Sequence, residues 1–363
     1  MSGKKSINSR FTTNRKYVSR KINALRWKPS NSLSIRANIF VSGSWDDEEN
    51  NLSVWLLNDN DTEPLLIQEL PQNSDVNDIQ YITKEVLATA TGNGNIHLYE
   101  HKQNNYIESI QSWENCHKLK SGSVACTALA SNGEQLASVG EDGNIFIFNP
   151  EEKDPIKIID SANECSDYSV VFVKAAEILT GSMQGHLKLW DLRAQNSLVS
   201  TLLSPDQVSV MNLSRHPTQQ HLIAAGSGDG GLSLWDMRHT SQPFVLIAAH
   251  DGPVSEVQFH PIASDHLFTC GFDGKIFHWD ASASSKKLLI TSSKVNKEFA
   301  DINKRKELPN AWFSEDVKQG MLDAVSLIPA SRLPINTLDI ESETLLAGSD
   351  NESIFIIKNV LYE

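Results

Sequence analysis

Seven segments of the chain repeat one pattern of apolar, small and polar positions. In each segment, two or three apolar residues precede a tract of small residues and, in most cases, an Asp or Asn. An alternating stretch then ends in a large apolar residue. Five of the six intervals between these ends are 42 to 49 residues long, the ends being Trp55, Tyr99, Phe148, Trp190, Trp235, Trp279 and Ile357. A fixed period of this length indicates repeated supersecondary units.

Within each repeat, apolar and polar residues alternate with a period of two, which predicts strands. Asp-Gly pairs at 142–143, 229–230 and 273–274 predict tight turns between antiparallel strands. Further runs, such as 244–247 and 254–259, bring the number of strands to four per repeat. Small antiparallel sheets protect their edges by forming a ring, so the sequence predicts an all-β fold, a seven-bladed β-propeller.

The last interval between repeat ends is 78 residues long, which predicts an insertion at about 281–321 in the sixth blade. Seven Lys or Arg residues lie within 286–306, followed by the apolar run 308–313. We expect 286–306 to be mobile and dispensable for folding, because its few apolar side chains cannot offset the entropy lost on ordering. Trp312 and Phe313 are candidate partner contacts; alternatively, they fold back on the propeller.

The chain of 363 residues carries 32 Lys and Arg against 45 Asp and Glu, for a formal net charge of −13. Residues 1–45 hold ten basic residues and no acidic one, so the remainder is strongly acidic and repels nucleic acid over most of its surface. We expect residues 1–10 to form a basic, flexible arm. The longest apolar run has six residues, and the first residues are polar. These features predict an intracellular protein without membrane insertion.

Residues typical of catalytic or metal sites occur in patterns that have a simpler explanation. Residues 226–231 match Gly-x-Gly-x-x-Gly but join two predicted strands, whereas a dinucleotide site needs a strand followed by a helix. His216 and His260 each precede a proline, and we expect them to cap turns. The four cysteines form no C-x-x-C pair. The sequence thus predicts no catalytic, cofactor-binding or metal-binding residue and no small-molecule substrate.

Three repeats end in Trp-Asp, at 190–191, 235–236 and 279–280. With this dipeptide and the seven repeats, the chain resembles a seven-bladed WD40 propeller over essentially its whole length. The resemblance implies a buried hydrogen-bond network of four side chains that ties a blade together. The sixth blade matches all four positions, with His250, Thr269, Asp273 and Trp279. The other blades are degraded, and His216 belongs to no complete set. We therefore expect His250→Ala to lower the melting temperature and His216→Ala not to.

The same resemblance implies how the ring closes. The seventh repeat supplies three strands between residues 335 and 358, and too few residues follow to form a fourth. WD40 propellers join an N-terminal strand to the last blade. We therefore expect residues 11–19 to complete that blade, with side-chain contacts from Tyr17 and Val18. Residues 11–363 would then form a single propeller.

Several segments depart from generic WD40 sequence: 21–29, 41–55, parts of 258–282, and 335–339. In these segments the chain resembles the WD40 nucleoporins of the Y-shaped scaffold complex of the nuclear pore. The resemblance implies a non-enzymatic structural subunit of the outer ring, located at the nuclear pore in the nuclear envelope. It also implies docking on a helical-solenoid nucleoporin, beside a second propeller on the short arm of the Y. The resemblance further implies that the protein supports mRNA and protein transport. It also implies, as for animal members, kinetochore association in mitosis.

An alternative function rests on the motif Trp-Asp-x-Arg, which ends with Arg193 in one blade and Arg238 in the next. The motif resembles that of WD40 substrate receptors of cullin-type ubiquitin ligases. In that case each guanidinium would pair with a carboxylate of the ligase adaptor. In the other interpretation each Arg bonds within its own blade.

Overall fold

The chain folds into seven four-stranded antiparallel sheets, the blades, and in each blade but the last the four strands follow one another in chain order from the inside of the ring to the outside. The computed structural model describes residues 11–30, 37–160, 165–195, 197–239, 241–282, 310–319 and 322–361. The predicted arm 1–10 and the predicted mobile stretch 286–306 lie outside these residues.

The strands of the first four blades are β2 (Ile22–Trp27), β3 (Ile39–Ser44), β4 (Asn50–Leu56) and β5 (Leu65–Gln72); β6 (Val76–Tyr81), β7 (Val86–Thr91), β8 (Ile96–His101) and β9 (Ile107–Trp113); β12 (Cys126–Ser131), β13 (Leu136–Gly140), β14 (Ile145–Phe148) and β15 (Lys157–Ile159); and β16 (Asp167–Lys174), β17 (Glu177–Ser182), β18 (His186–Asp191) and β19 (Leu198–Leu203). A small hairpin precedes the third blade, formed by β10 (Lys118–Leu119) and β11 (Gly122–Ser123).

The remaining three blades contain β20 (Val210–Arg215), β21 (Leu222–Ser227), β22 (Gly231–Asp236) and β23 (Val245–Ala248); β24 (Val254–Phe259), β25 (His266–Gly271), β26 (Ile276–Asp280) and β27 (Asp323–Ser326); and β28 (Ile335–Glu341), β29 (Thr344–Ser349), β30 (Ser353–Lys358) and β1 (Thr12–Tyr17). Short helical turns are Pro205–Gln207 and Ala311–Phe313, and the helix α1 is Glu315–Lys318. The predicted all-β, seven-bladed propeller is confirmed.

The ring is closed by apolar packing between neighbouring blades. Each inner strand contacts the inner strands on both sides, and β28 of the last blade contacts β2 of the first. The buried apolar side chains that the structure describes form seven clusters, each lying between two adjacent blades. In the closing cluster, Leu25 and Trp55 of the first blade pack with Ile354 and Ile356 of the seventh. Burial of these alternating apolar positions is what the repeat pattern encodes.

Strand β1 completes the seventh blade, as predicted from the resemblance. It pairs antiparallel with β30, from Thr12 opposite Lys358 to Tyr17 opposite Ser353. The side-chain prediction was right for Val18, which packs against the cluster between the first and seventh blades. Tyr17 also makes the expected side-chain contact, since its hydroxyl donates to the Glu352 carboxylate at 2.5 Å, although the residue as a whole is 61% exposed.

The predicted tight turns are confirmed by the backbone at the Asp-Gly pairs. Gly143, Gly230 and Gly274 have φ angles of 69°, 92° and 72°, in the left-handed region that glycine adopts without strain. Residues 226–231 run from β21 through the turn into β22, so the Gly-x-Gly-x-x-Gly pattern is a strand–turn–strand connection as predicted. A Cβ atom at Gly230 would lie 2.2 Å from the backbone oxygen of His250, so this position has no room for a side chain.

The insertion leaves the sixth blade after its third strand and returns as its fourth strand, β27. Its described part, 310–319, contains Ala311–Phe313 and α1. Both turns are capped, since the Asn310 side chain accepts from the Trp312 amide at 2.9 Å and the Ser314 hydroxyl accepts from the Val317 amide at 3.3 Å. Among the helices that the structure describes, none is long and apolar enough to cross a membrane.

Candidate functional site

The four network residues of the sixth blade form a continuous chain of hydrogen bonds. His250 contacts Asp273 through Nδ1 at 2.9 Å and Thr269 through Nε2 at 2.8 Å, and the Trp279 indole donates to the Thr269 hydroxyl at 3.0 Å. Burial lowers the pKa of His250, although the bond to Asp273 opposes this effect. The chain of bonds links the turns at one end of the blade to its second and third strands, which is a structural role.

We expect His250→Ala to lower the free energy of unfolding by about 1–3 kcal/mol, because the substitution removes the buried imidazole that bonds to both Asp273 and Thr269. Chemical denaturation followed by tryptophan fluorescence measures the change. His239→Ala is the matched control, since His239 is exposed. Equal losses for the two variants would contradict a structural network.

A second network, in the third blade, was missed at the sequence level. His117 contacts Asp142 through Nδ1 at 2.8 Å and Ser138 through Nε2 at 2.9 Å. The hairpin β10–β11 lengthens this blade's entry loop, so His117 lies 25 residues before Asp142, whereas the separation in the sixth blade is 23. Phe148 stands where the sixth blade has Trp279, which further masked the pattern.

His216 and His260 cap turns, as predicted. The Nδ1 atom of His216 accepts from the Gln219 amide at 3.1 Å, and that of His260 accepts from the Ala263 amide at 2.8 Å. No cluster of metal-ligating side chains occurs in the described part of the chain. The expectation that His216→Ala leaves the melting temperature unchanged does not fit its surroundings, because His216 is 2% exposed and its ring packs edge-on against Phe259. It is therefore not a suitable control for His250.

The two arginines of the Trp-Asp-x-Arg motifs bond within their own blades. Arg193 donates to the Asp191 carboxylate through Nε at 2.9 Å and Nη2 at 2.8 Å, and these bonds lower the pKa of Asp191 to about 2. Arg238 makes the same bidentate contact with Asp236. The side chains of both arginines remain more than half exposed. This geometry favours the interpretation that each Arg orders its own turn over pairing with a ligase adaptor.

The prediction that Trp312 contacts a partner was wrong, because its side chain is fully buried. The Trp312 indole donates to the Ser264 carbonyl at 2.8 Å and packs edge-on against Phe259. Phe313 is partly buried, with its ring 4.7 Å from that of Phe244 and beneath the Arg238 guanidinium. The alternative that this segment folds back on the propeller is confirmed, since these rings extend the core between the fifth and sixth blades.

A buried ion cluster at the ring axis was not predicted. Arg26 of the first blade pairs with Glu256 of the sixth at 2.7 Å and with Asp78 of the second at 3.2 Å. Glu256 also accepts from the Thr337 hydroxyl at 2.8 Å, and Asp339 accepts from the Trp27 amide at 2.7 Å. The cluster thus joins four blades at their inner strands.

Burial raises the pKa of Asp78 to about 6, and the Arg26 guanidinium opposes this rise. The signal in the sequence was a charged residue inside several predicted inner strands, as in Ile22–Trp27, Val76–Tyr81 and Val254–Phe259. Those residues are far apart in the chain, so their contact could not be inferred from spacing.

The geometry and the Trp-Asp turns define the class: the chain is a WD40 propeller. The family model described as "WD domain, G-beta repeat" matches residues 108–149, 196–236 and 241–280. The chain is 34% identical to Nucleoporin Nup43 of Homo sapiens, over 95% of this chain and 98% of that protein, and 33% identical to Nucleoporin Nup43 of Mus musculus over the same shares. It is 24% identical to Nuclear pore complex protein NUP43 of Arabidopsis thaliana, over 77% of this chain and 82% of that protein.

The chain therefore belongs to the Nup43 family of nucleoporins. It is a nucleoporin with a WD40 propeller, located in the nucleus at the nuclear pore complex.

Proposed function

We propose that the protein is a non-enzymatic structural subunit of the outer-ring Y-complex, docked on a helical-solenoid nucleoporin beside a second propeller on the short arm. The observation that carries the proposal is the likeness to Nup43 over nearly the full length of both chains, with the propeller as the shared unit. Through this role the protein supports transport of mRNA and protein across the pore. We also propose that the protein associates with the kinetochore in mitosis, because the chain resembles animal members of the family.

The interior of the ring supports a scaffold role. The titratable groups at the axis pair with one another, as Arg26 does with Glu256 and Asp78. Apolar clusters lie between all seven pairs of adjacent blades, and β1 latches the ring. A disc held in this way presents rigid faces to partner proteins with little cost in ordering.

We expect the purified protein to be a monomer that binds a helical nucleoporin and turns over no small substrate. The test is co-expression of the full chain with the scaffold nucleoporins of its own species, followed by size-exclusion chromatography. Co-elution with a helical subunit is the expected result. A parallel co-expression with a cullin-ligase adaptor tests the alternative, and co-elution with the adaptor alone would contradict the proposal.

A further inference from the structure

The central channel of the propeller opens on two faces of different chemistry. Because the strands of each blade are antiparallel, the turns between second and third strands lie on the same face as the connections between blades. We call this the mouth face, and the other the opposite face. Arg26, Asp78 and Glu256 line both openings, so the ion cluster forms the waist of the channel.

The opening on the mouth face has aromatic walls. Trp45, Tyr168 and Phe272 line it together with Met211, around a cavity of about 540 Å³. The Trp45 indole is held by a hydrogen bond to the Asp350 carboxylate at 3.0 Å. Phe272, on a turn between strands, is 44% exposed although it lies beside a well-packed blade. Exposed aromatic residues around a concave opening are typical of interaction sites.

The charges that line the two openings differ. Of the described residues at the mouth-face opening, Asp75, Asp78, Glu141 and Glu256 are acidic, and Arg26 alone is basic. The opening on the opposite face has two acidic residues and two basic ones, the second being Arg215. The excess of carboxylates is therefore specific to the mouth face, and the guanidinium of Arg26 is already engaged by Glu256 and Asp78.

We propose that the mouth-face opening binds an extended, lysine- or arginine-containing segment of a partner protein, with one cationic side chain seated between the aromatic walls and the rim carboxylates. An aromatic face attracts a cation, most strongly where water is excluded, and a carboxylate adds a charge-assisted hydrogen bond. The ion cluster at the waist limits how deeply the side chain enters. This site goes beyond the proposed function, because it would bind a basic segment of a partner protein independently of which nucleoporin the propeller docks on.

Charge complementarity selects a basic peptide over the other occupants. Nucleic acid or an acidic peptide would bring its negative charges against Glu141, Asp75 and the acidic turn 46–49 of the first blade. A purely apolar segment would take water away from the rim carboxylates without bringing them a counter-charge.

The test is selection of a random peptide library, displayed on phage, against the immobilised full-length protein, followed by fluorescence anisotropy with the selected peptides. We expect the enriched peptides to contain Lys or Arg. Glu141→Lys should weaken their binding at least about tenfold, because it reverses charge at the rim. Phe272→Ala should weaken it about threefold or more, because it removes an aromatic wall.

Matched controls lie in the same blades on the opposite face. Glu134, in the turn between β12 and β13, is exposed like Glu141, and Ile262, between β24 and β25, is 59% exposed. Glu134→Lys and Ile262→Ala should leave binding unchanged. The proposal is overturned if no peptide is enriched, if the enriched peptides are acidic or apolar, if nucleic acid competes at the mouth, or if variants on both faces weaken binding equally.

Discussion

A chain that lacks residues 1–20 is expected to aggregate, because the deletion removes β1 and exposes the edge of β30 in the last blade. All six residues of β1 pair with β30, and Arg15 adds a bond from its Nε atom to the Ser353 hydroxyl at 2.8 Å. An unpaired edge strand is a template for pairing with other chains. Light scattering and size-exclusion chromatography of the purified protein measure the outcome.

Deleting residues 1–9 is the control, since it leaves β1 intact, and this variant should stay monomeric and melt as the full chain does. A synthetic peptide of residues 10–20, added during refolding of the 21–363 chain, should restore part of the soluble monomer. A 21–363 chain that is soluble, monomeric and cooperatively melting without the peptide would show that β1 is not the latch.

Arg26→Met is expected to lower the free energy of unfolding by about 3–5 kcal/mol, since it leaves buried carboxylates without their counter-ion. The side chains of Arg26, Asp78 and Glu256 are 21%, 14% and 11% exposed, so solvent screens the cluster little. The triple variant that adds Asp78→Asn and Glu256→Gln should recover part of the loss, because it removes the unpaired charges. Urea denaturation measures both variants.

The loss in Arg26→Met should also depend on pH. The pKa of Asp78 in the folded protein is already raised to about 6 by burial, and removing the opposing guanidinium raises it further. When folding raises the pKa of a carboxyl group, the free energy of unfolding falls as the pH rises from the unfolded pKa of that group to its folded pKa. The deficit should therefore be larger at about pH 8 than at about pH 5. A deficit that does not change with pH would contradict the ionic origin of the loss.

The ring itself could be predicted from the sequence because each blade repeats a local pattern. The alternation over residues 254–259 and the Asp-Gly pair at 273–274 each determine a structure within a few residues of chain, and the 44-residue period repeats them. The predicted strand 254–259 is observed over those same residues as β24.

Features that depend on contacts between distant blades were not predictable. Arg26 and Glu256 are 230 residues apart and meet because the ring brings their inner strands together. The burial of Trp312 depends on Phe259, which lies in a strand 53 residues earlier. The spacing of apolar residues on an insertion does not show whether they are exposed to solvent, contact a partner or pack against the core of their own chain. Here they pack against the core.

The most direct test of the scaffold role is the exchange rate of the fluorescently tagged full-length protein at the nuclear rim of living cells, measured by recovery after photobleaching. A structural subunit of the outer ring should recover far more slowly than a soluble transport factor tagged in the same cells, and replacing the full chain by the 21–363 chain should abolish the rim signal. Recovery as fast as that of the transport factor would contradict the account.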